Sequence, residues 1–384
     1  MPALVSIGIP ICDIIDGFST TITSLLEQSY GEYEVIIVDD TGENLAGFFL
    51  EAEAERDKRL LYIKTPVRFG ILPAHAEALS RSKGTYFMWL GVGDRLDPNF
   101  IETCVARLET KGDLSLAIGQ TRLEAEGADE ESLPKSLNVI EADPVQRVEK
   151  FLDSKIGLDL WYGVFRRSFI ATIPFRNAIG FELTFLAEVA FVGKIETIED
   201  TWSVRGRGQG NLDRNFFVDE NYNSANSLVV SAFQFGDPYL VLAVQLFCNI
   251  AFLSDNFATL PRIDRLRLAV RAYTKIADGW GVIDDGQFIS FAAQLFTEAR
   301  ITDHLHELRY YLAATLYSQA ESKALFDPLS RAEEIMNGLY RIKIGQLSLT
   351  QKEREIISMI RNRFDLSKSE NFKNRAVLAL ALFL

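Results

Sequence analysis

The chain has 384 residues, which is long for one domain and sufficient for two. Hydrophobic residues make up 48% and charged residues 24%, a composition that excludes wholesale disorder. Residues 1–210 carry 21 Lys and Arg against 33 Asp and Glu, and so acidic a segment argues against nonspecific nucleic-acid binding. The sparse cysteines Cys12, Cys104 and Cys248 fit a reducing cytoplasm and offer no zinc site.

No membrane-spanning or secreted segment is expected from the sequence. No apolar run reaches the ~18 residues of a transmembrane helix. The N-terminal MPALVSIGIP has no basic segment before its apolar run, so it does not resemble a secretory signal. We therefore expect a cytoplasmic protein.

The first hundred residues alternate short β-rich runs with amphipathic helical runs, the pattern of a doubly wound α/β sheet. Asp97 and Pro98 predict a helix start, with Asp97 as N-cap and Pro98 at the first helical position. The apolar runs predict four strands, each covered on both faces, and one of the helices between them lies near 74–82. The strands are predicted at 4–10, 34–40, 60–65 and 85–91.

The following residues predict a second group of elements and a domain boundary. Residues 119–145 are acidic and read as an exposed excursion, whereas 161–170 read as a strand that enters a helix. A helix over 181–193, ended by Gly193, places four apolar residues on one face: Leu183, Leu186, Ala187 and Ala190. A short strand follows at 194–199, a Gly/Arg-rich loop at 203–215, and helical patterns after about residue 220. We therefore predict an α/β domain over 1–215 and an α-helical domain over 216–384.

Polar residues follow three of the predicted strands. Strand one ends at Pro10 and Cys12, strand two at Asp39 and Asp40, and strand four at Gly91–Asp94. Ligands of open α/β sheets lie beyond the carboxyl ends of the strands, so these residues predict a nucleotide site. The turn after strand one lacks a dinucleotide glycine fingerprint, and no Walker A motif occurs, which argues against a nicotinamide enzyme or a P-loop protein.

A resemblance to a known family runs through this half of the chain. The segment VSIGIPICDIIDGFSTTITSLLEQSYGEYEVIIVDDTG resembles the opening of family 2 glycosyltransferases, which are inverting enzymes of the GT-A fold. GILPAHAEALSRSKGTYFMWL, GVFRRSFI and FELTFLAEVAFVGKIETIEDTWSVRGR continue the resemblance in order, over about residues 4–210. It implies transfer of a sugar, with inversion, from a nucleotide diphosphate donor, UDP-linked by preference, to a glycan or lipid-linked acceptor in surface polysaccharide assembly.

The resemblance also implies roles in donor binding. Pro10 and Cys12 lie where the family packs a strand-one turn on the base. Asp39, Asp40 or both lie where a carboxylate accepts hydrogen bonds from the uracil and the ribose, and Asp39 is the first choice for the base. Arg68 occupies a loop where a basic residue can meet the nucleotide. The alternatives are a carboxylate pair that caps a turn and a solvated arginine.

Two departures from the family concern its metal site. Relatives hold Mn²⁺ or Mg²⁺ through an Asp-x-Asp pattern, where this chain has Gly91-Val92-Gly93 followed by Asp94. Glycine supplies no side-chain oxygen for a hard cation. Arg207 stands at the place of a metal-binding histidine, with Arg205 beside it, and a guanidinium can neutralise a diphosphate directly. We favour metal-independent transfer; a weak Mg²⁺ or Mn²⁺ site through Asp94 and a catalytically degenerate scaffold that binds nucleotide sugar or glycan are the alternatives.

The resemblance implies a catalytic base at the start of a helix, 11 residues before a glycine. Counting back from Gly193 gives Glu182, at a helix N-terminus where a carboxylate is favoured. Glu188 is the fallback, and a first-turn glutamate without catalytic role is the alternative. Trp161 and Trp202 flank the predicted acceptor side, where they can stack on sugar rings or simply pack in the core.

The C-terminal residues leave membrane and partner contacts open. Residues 341–384 carry nine Lys and Arg against four Asp and Glu and end in an apolar run. Such a tail can lie at the inner face of a membrane, but docking on its own helical domain or on a second subunit is the preferred interpretation.

Overall fold

The computed structural model describes residues 2–12, 17–42, 47–66, 71–123, 131–132, 137–154, 157–175, 181–206, 242–243, 246–247 and 249–279. The chain divides into two compact units. The described residues up to 206 belong to the first unit, and those from 242 onward belong to the second.

The described residues of the first unit form one mixed sheet of nine strands. The strand order is β3-β2-β1-β4-β8-β6-β9-β5, and β7 pairs with β6. The strands are β1 (Val5–Ile11), β2 (Tyr33–Asp39), β3 (Leu60–Lys64), β4 (Tyr86–Trp89), β5 (Arg95–Leu96), β6 (Leu114–Leu123), β7 (Glu131–Ser132), β8 (Val164–Arg166) and β9 (Lys194–Arg205).

Strands β3, β2, β1 and β4 are parallel, whereas β8 runs antiparallel to both β4 and β6. The central strands are buried on both faces, as their continuous apolar sequences predict, and Val5, Ile7 and Ile9 of β1 have no exposed surface. The parallel arrangement brings the carboxyl ends of β1, β2 and β4 to one edge, with Ile11 paired to Asp39. This is the α/β architecture of the GT-A fold, as predicted.

Helices connect and cover these strands. In the first unit they are α1 (Phe18–Leu26), α2 (Gly47–Arg56), α3 (Ile71–Arg81), α4 (Phe100–Thr110), α5 (Pro144–Asp153), a 3₁₀ helix (Gly157–Tyr162), α6 (Arg167–Ile170) and α7 (Phe181–Val192). The predicted strand that enters a helix at 161–170 is present as β8 and α6.

Several predicted boundaries were wrong. Helix α4 begins at Phe100 with Asn99 as N-cap, because the carboxylate of Asp97 accepts a hydrogen bond from Thr201 Oγ1 (3.2 Å) and does not cap the helix. Asp143 instead caps α5, accepting from the Val145 N–H at 3.1 Å, with Pro144 in the first turn. A tertiary hydrogen bond has outweighed a local capping preference.

The strands after residue 110 are also longer than predicted. Strand β9 runs for 12 residues, so 203–205 are strand and not loop. Residues 119–123 belong to β6 and not to an excursion. Helix α7 is buried on nearly all sides and not on one face, because β6, β9, α5 and the 3₁₀ helix all pack against it. These pairings join residues that are distant in sequence, which local patterns do not reveal.

The second unit is described in part, and its described elements are helical. They include a π-helical turn (Asn249–Leu253), a 3₁₀ turn (Phe257–Thr259) and α8 (Arg262–Gly279). Within the described residues, no helix combines the length and apolarity needed to cross a membrane. The remainder of the predicted helical domain, including the basic tail, lies outside these residues.

Candidate active site

The turn between β4 and β5 stands at the carboxyl edge of the sheet, where the family would hold a metal. Thr21 of α1 fixes this turn: its Oγ1 accepts from the Gly93 N–H at 2.8 Å and donates to the Asp94 carbonyl at 3.0 Å. Thr21 is fully buried. The hydroxyl therefore ties α1 to the turn without leaving a polar atom unpaired.

Three glycines meet at this turn. Gly93 has φ +90°, a conformation that residues with a side chain rarely adopt. A Cβ at Gly17, itself at φ +86°, would lie 2.9 Å from the Gly93 Cα, and a Cβ at Gly206 would lie 2.8 Å from the Gly93 carbonyl carbon. The turn thus requires glycine for conformation and for close contact, beyond the mere absence of a metal ligand.

The carboxylate of Asp94 faces inward from this turn to the end of β9. It is 1% exposed; Oδ1 accepts from the Gly206 N–H at 2.9 Å, and Oδ2 lies 3.3 Å from Nε of Arg205. Burial raises the pKa of Asp94, although the nearby Arg205 charge opposes the shift. The sequence placed Asp94 and Arg205 in the donor site, and the structure joins them as a buried ion pair.

The guanidinium of Arg205 lies flat against an aromatic ring. Its Cζ is 3.4 Å from the centroid of the Tyr162 ring, a cation–π contact. Tyr162 ends the 3₁₀ helix, and Asp159 lies three residues earlier on the same side of that helix. We call Asp94, Asp159, Tyr162 and Arg205 the Arg205 cluster.

Mutual electrostatic effects link the members of the Arg205 cluster. Burial raises the pKa of Asp159 and of Tyr162, and the positive charge of Arg205 opposes both shifts. Burial alone would lower the pKa of Arg205, but the charges of Asp94, Tyr162 and Asp159 raise it above its usual value. The guanidinium is therefore held charged by the acidic side chains around it.

Glu182 lies next to this cluster, in the first turn of α7. Its charge raises the pKa of Tyr162, so the two side chains are electrostatic neighbours. Burial raises the pKa of Glu182 itself to about 7. A carboxylate with this pKa is suited to exchange protons at neutral pH.

The fallback base, Glu188, faces a different environment. It is 1% exposed and lines a small cavity between α7 and the residues after α6. Thr184, also in this cavity, has a buried hydroxyl without a hydrogen-bond partner among the described residues. The other lining residues are apolar: Pro174, Phe175, Phe181 and Phe185.

Asp39 and Asp40 lie at the same sheet edge with their carboxylates buried. Oδ1 of Asp39 accepts from the N–H and the hydroxyl of Thr41 (3.1 and 2.7 Å), and Oδ2 accepts from Tyr62 Oη at 2.7 Å. A carboxylate has about four acceptor positions, so one remains. Asp40 Oδ1 accepts from Thr65 Oγ1 at 2.7 Å.

Of the other residues predicted to bind the donor, the structure describes two. Pro10 is part-buried within β1, and Cys12 follows that strand, also part-buried. Arg68 and Arg207 lie outside the described residues.

The two tryptophans of the predicted acceptor side have unlike surroundings. Trp161 is 1% exposed and stacks on Trp89, with ring centroids 4.2 Å apart and an interplanar angle of 10°. Phe181 and Phe185 contact it edge-on. Of the two roles considered for Trp161, this arrangement matches packing in the core and not stacking on a sugar ring. Trp202, by contrast, is part-buried, and Arg122 lies 4.1 Å from its ring centroid.

The described residues do not fit the divalent ion that the fold family implies. Gly91 and Gly93 provide no side-chain oxygen, and the Asp94 carboxylate already contacts Arg205 and Gly206. Within the ranges that the structure describes, no group of three or more His, Cys, Asp or Glu side chains could hold a metal. A weak Mg²⁺ or Mn²⁺ site through Asp94, the alternative to metal-independent transfer, would have to compete with these two contacts of the carboxylate.

Sequence reasoning missed Asp159 and Tyr162. Both lie in the segment LDLWYG, on either side of Trp161. The signal available was the spacing of Asp159 and Tyr162, because a three-residue interval places them on one side of a 3₁₀ turn. Their proximity to Arg205 depends on the pairing of distant strands.

Comparison with known proteins identifies the class of this domain. The family described as glycosyl transferase family 2 matches residues 6–159. Glycosyltransferase GlyA of Streptococcus pneumoniae is 22% identical over 124 residues, which cover 32% of this chain and 18% of that protein. TuaG of Bacillus subtilis, provisionally named a teichuronic acid biosynthesis glycosyltransferase, is 29% identical over 99 residues, covering 26% of this chain and 39% of that protein.

Among solved structures, Staphylococcus aureus TarS 1–349 in complex with UDP-GlcNAc shares 14% identity with a TM-score of 0.49. That match covers 89% of this chain and 92% of the TarS chain. The chain spans 18% and 39% of the lengths of GlyA and TuaG. Residues 6–159 belong to glycosyl transferase family 2. The match includes Asp39, Asp94 and Asp159, whereas Glu182 and Arg205 lie beyond it.

Proposed function

We propose that this chain is an inverting glycosyltransferase that moves a sugar from a UDP-sugar to a hydroxyl of a glycan or lipid-linked acceptor. The carrying observation is the position of Glu182 in the first turn of α7, within electrostatic reach of Tyr162 in the Arg205 cluster, downstream of a family 2 match that ends at residue 159; burial raises the pKa of Glu182 to about 7. Relatives of this domain bear the name glycosyltransferase, which supports the reaction class.

In the proposed reaction, the acceptor oxygen attacks the anomeric carbon as the bond from that carbon to the diphosphate oxygen breaks. Glu182 takes the proton of the acceptor hydroxyl, so the products are a glycoside with inverted configuration and the nucleotide diphosphate. A carboxylate is required on the side opposite the leaving group. Glu182 is proposed for that role and Glu188 remains the fallback.

The proposal also assigns residues to the nucleotide and to the acceptor. We assign the base and ribose to Asp39, with Pro10, Cys12 and Asp40 beside it, and retain Arg68 and Arg207 as candidate nucleotide contacts. Trp202 is the remaining acceptor-side aromatic residue.

The similarity to TuaG supports a role in surface polysaccharide assembly. Such a role would place the enzyme in the cytoplasm, and at the inner face of the membrane if the basic tail contacts lipid. The domain division near residue 215 and an oligomer through the helical half are part of the same proposal.

The reaction class is tested with the full chain and a panel of UDP-, GDP- and dTDP-sugars. Because the acceptor is not identified, release of free nucleotide diphosphate by donor hydrolysis is the first readout, and binding by calorimetry is the second. We expect one UDP-sugar to bind and to release UDP. Binding of a nucleotide sugar with no turnover toward water or any glycan acceptor would favour the non-catalytic scaffold, which the missing ligands at Gly91 and Gly93 suggest as a second candidate.

Asp39→Ala is expected to weaken UDP binding by about 1–3 kcal/mol, since it leaves buried polar partners unpaired. The remaining acceptor position of Asp39 is the one that would read the uracil N–H. Calorimetric titration with UDP measures the change. Tyr62→Phe is the matched control, because it removes the donor to Oδ2 and retains the carboxylate. Equal UDP affinity of folded Asp39→Ala and the control would contradict the assignment.

A further inference from the structure

The two acids of the Arg205 cluster need a positive charge. Asp94 is 1% exposed, and Asp159 lies on the same side of the 3₁₀ helix as Tyr162, whose ring the Arg205 guanidinium contacts. The carboxylates of buried Asp94 and part-buried Asp159 repel each other, and the charge of Asp94 contributes to the raised pKa of Asp159. In a metal-dependent enzyme a divalent ion would resolve such a conflict.

Here the chain supplies the charge itself. Nε of Arg205 is 3.3 Å from Oδ2 of Asp94, and the arginine side chain is 9% exposed. The Tyr162 ring covers one face of the guanidinium at 3.4 Å, and the Gly206 N–H holds the other oxygen of Asp94 at 2.9 Å. The cation is thus fixed in place from several directions, with a geometry that a solvated arginine would not keep.

The neighbouring turn disfavours a metal ligand beside this arginine. Gly93 has φ +90°, a conformation that a residue with a side chain rarely adopts, and its backbone lies so close to Gly17 and Gly206 that a Cβ on either glycine would come within 3 Å of it. The loss of the Asp-x-Asp ligands and the presence of Arg205 are therefore parts of one arrangement.

We propose that the guanidinium of Arg205, paired with Asp94 and stacked on Tyr162, is the resident cation of this site, that it takes the role of a divalent ion, and that the chain consequently binds a nucleotide diphosphate without metal. This inference rests on the proposed function for the identity of the ligand. It assigns to Arg205 the charge that the sequence had suggested for Arg207. The five N–H groups of a guanidinium allow it to contact a carboxylate and a phosphate at once.

The first experiment uses the unaltered full chain. UDP affinity is measured by calorimetry in EDTA and again with added Mn²⁺. We expect the two dissociation constants to agree within about twofold, because the cation is covalently part of the protein. UDP binding that requires Mn²⁺ would overturn the inference while leaving the proposed function intact, and absence of UDP binding in both buffers would contradict the proposed function.

The second experiment removes the cation. Arg205→Gln should weaken UDP binding by roughly ten- to hundredfold, since charge-assisted contacts to phosphate are lost. It should also gain Mn²⁺ binding, because the carboxylates of Asp94 and Asp159 then lack the positive charge that Arg205 supplies. Mn²⁺ alone, followed by electron paramagnetic resonance, is the probe, so this readout does not depend on UDP binding or on activity.

Controls separate charge from packing. Arg122→Gln is matched, because Arg122 also stacks on an aromatic ring, that of Trp202 at 4.1 Å, and it should change neither UDP affinity nor Mn²⁺ binding. A folded Arg205→Gln chain that behaves like Arg122→Gln would overturn the inference. If Arg205→Gln does not fold, the double variant with Asp159→Asn relieves the acid pair. The double variant should bind UDP roughly ten- to hundredfold more weakly than the unaltered chain and should bind no Mn²⁺. UDP affinity equal to that of the unaltered chain would again overturn the inference.

Discussion

Glu182→Gln should lower the rate of transfer by about 10²–10⁴-fold with UDP affinity nearly unchanged. Glutamine keeps the shape of the side chain and removes the proton acceptor. Steady-state kinetics together with calorimetric UDP titration measure the two quantities separately. Donor hydrolysis serves as the kinetic assay until an acceptor is found, since water must also lose a proton.

The pH dependence follows from the raised pKa of Glu182, about 7 as a result of burial. The base acts in its deprotonated form. The rate should therefore fall as pH decreases below about 7, approaching tenfold per pH unit, and level off above it. This acid limb should be absent from the residual activity of Glu182→Gln. A limb near pH 4, typical of an unperturbed carboxylate, would contradict the proposed environment.

Glu188→Gln is the matched control, because it makes the same change on the same helix, within the small cavity of α7. We expect it to retain most of the turnover. Loss of turnover in Glu188→Gln, together with retention in Glu182→Gln, would transfer the base role to Glu188. Loss in both would require a test of folding by circular dichroism before either assignment stands.

Trp161→Ala should destabilise the first unit by about 3–5 kcal/mol, the usual cost of deleting a large buried aromatic side chain. Trp161 is 1% exposed, and its stacking partner Trp89 would face the resulting cavity. Urea unfolding followed by circular dichroism measures the shift in midpoint. If Trp161 instead served only to stack on an acceptor sugar, the midpoint would stay and the acceptor KM would rise.

Trp202→Ala is the companion variant. Its ring is part-buried and contacts part-buried Arg122, so the loss of stability should be smaller than that of Trp161→Ala, with about 0.5–1 kcal/mol from the cation–π contact. Once an acceptor is known, its KM in Trp202→Ala tests whether this residue contacts the sugar. A midpoint shift as large as that of Trp161→Ala would show that Trp202 is equally a core residue.

The sequence predicts the parallel half of the sheet well because local sequence patterns determine its strands. Each buried strand is a continuous apolar run, and β1, β2 and β3 begin and end within about one residue of their predicted limits. The prediction of a site at the carboxyl edge required only the rule for open α/β sheets. The prediction that Asp97 caps α4 was wrong because its carboxylate accepts a hydrogen bond from Thr201, more than a hundred positions away.

The contacts within the Arg205 cluster could not be predicted from the sequence. The sequence places Asp94 and Arg205 in one site through a resemblance, but whether they contact a ligand or each other depends on how β5 and β9 pair. Asp159 and Tyr162 carry no family motif. The aromatic identity of Trp161 likewise does not say whether the ring faces a sugar or another tryptophan.

The contact among Gly17, Gly93 and Gly206 has a consequence for protein engineering. Restoring an Asp-x-Asp motif by substitution at Gly91 and Gly93 alone should not restore metal use, because an aspartate at Gly93 would have to adopt a left-handed backbone between two abutting glycines. A successful reversal would have to rebuild the loop before α1, the turn after β4 and the end of β9 together. A change of cofactor in this scaffold is therefore a problem of loop redesign, to be addressed by grafting three segments at once.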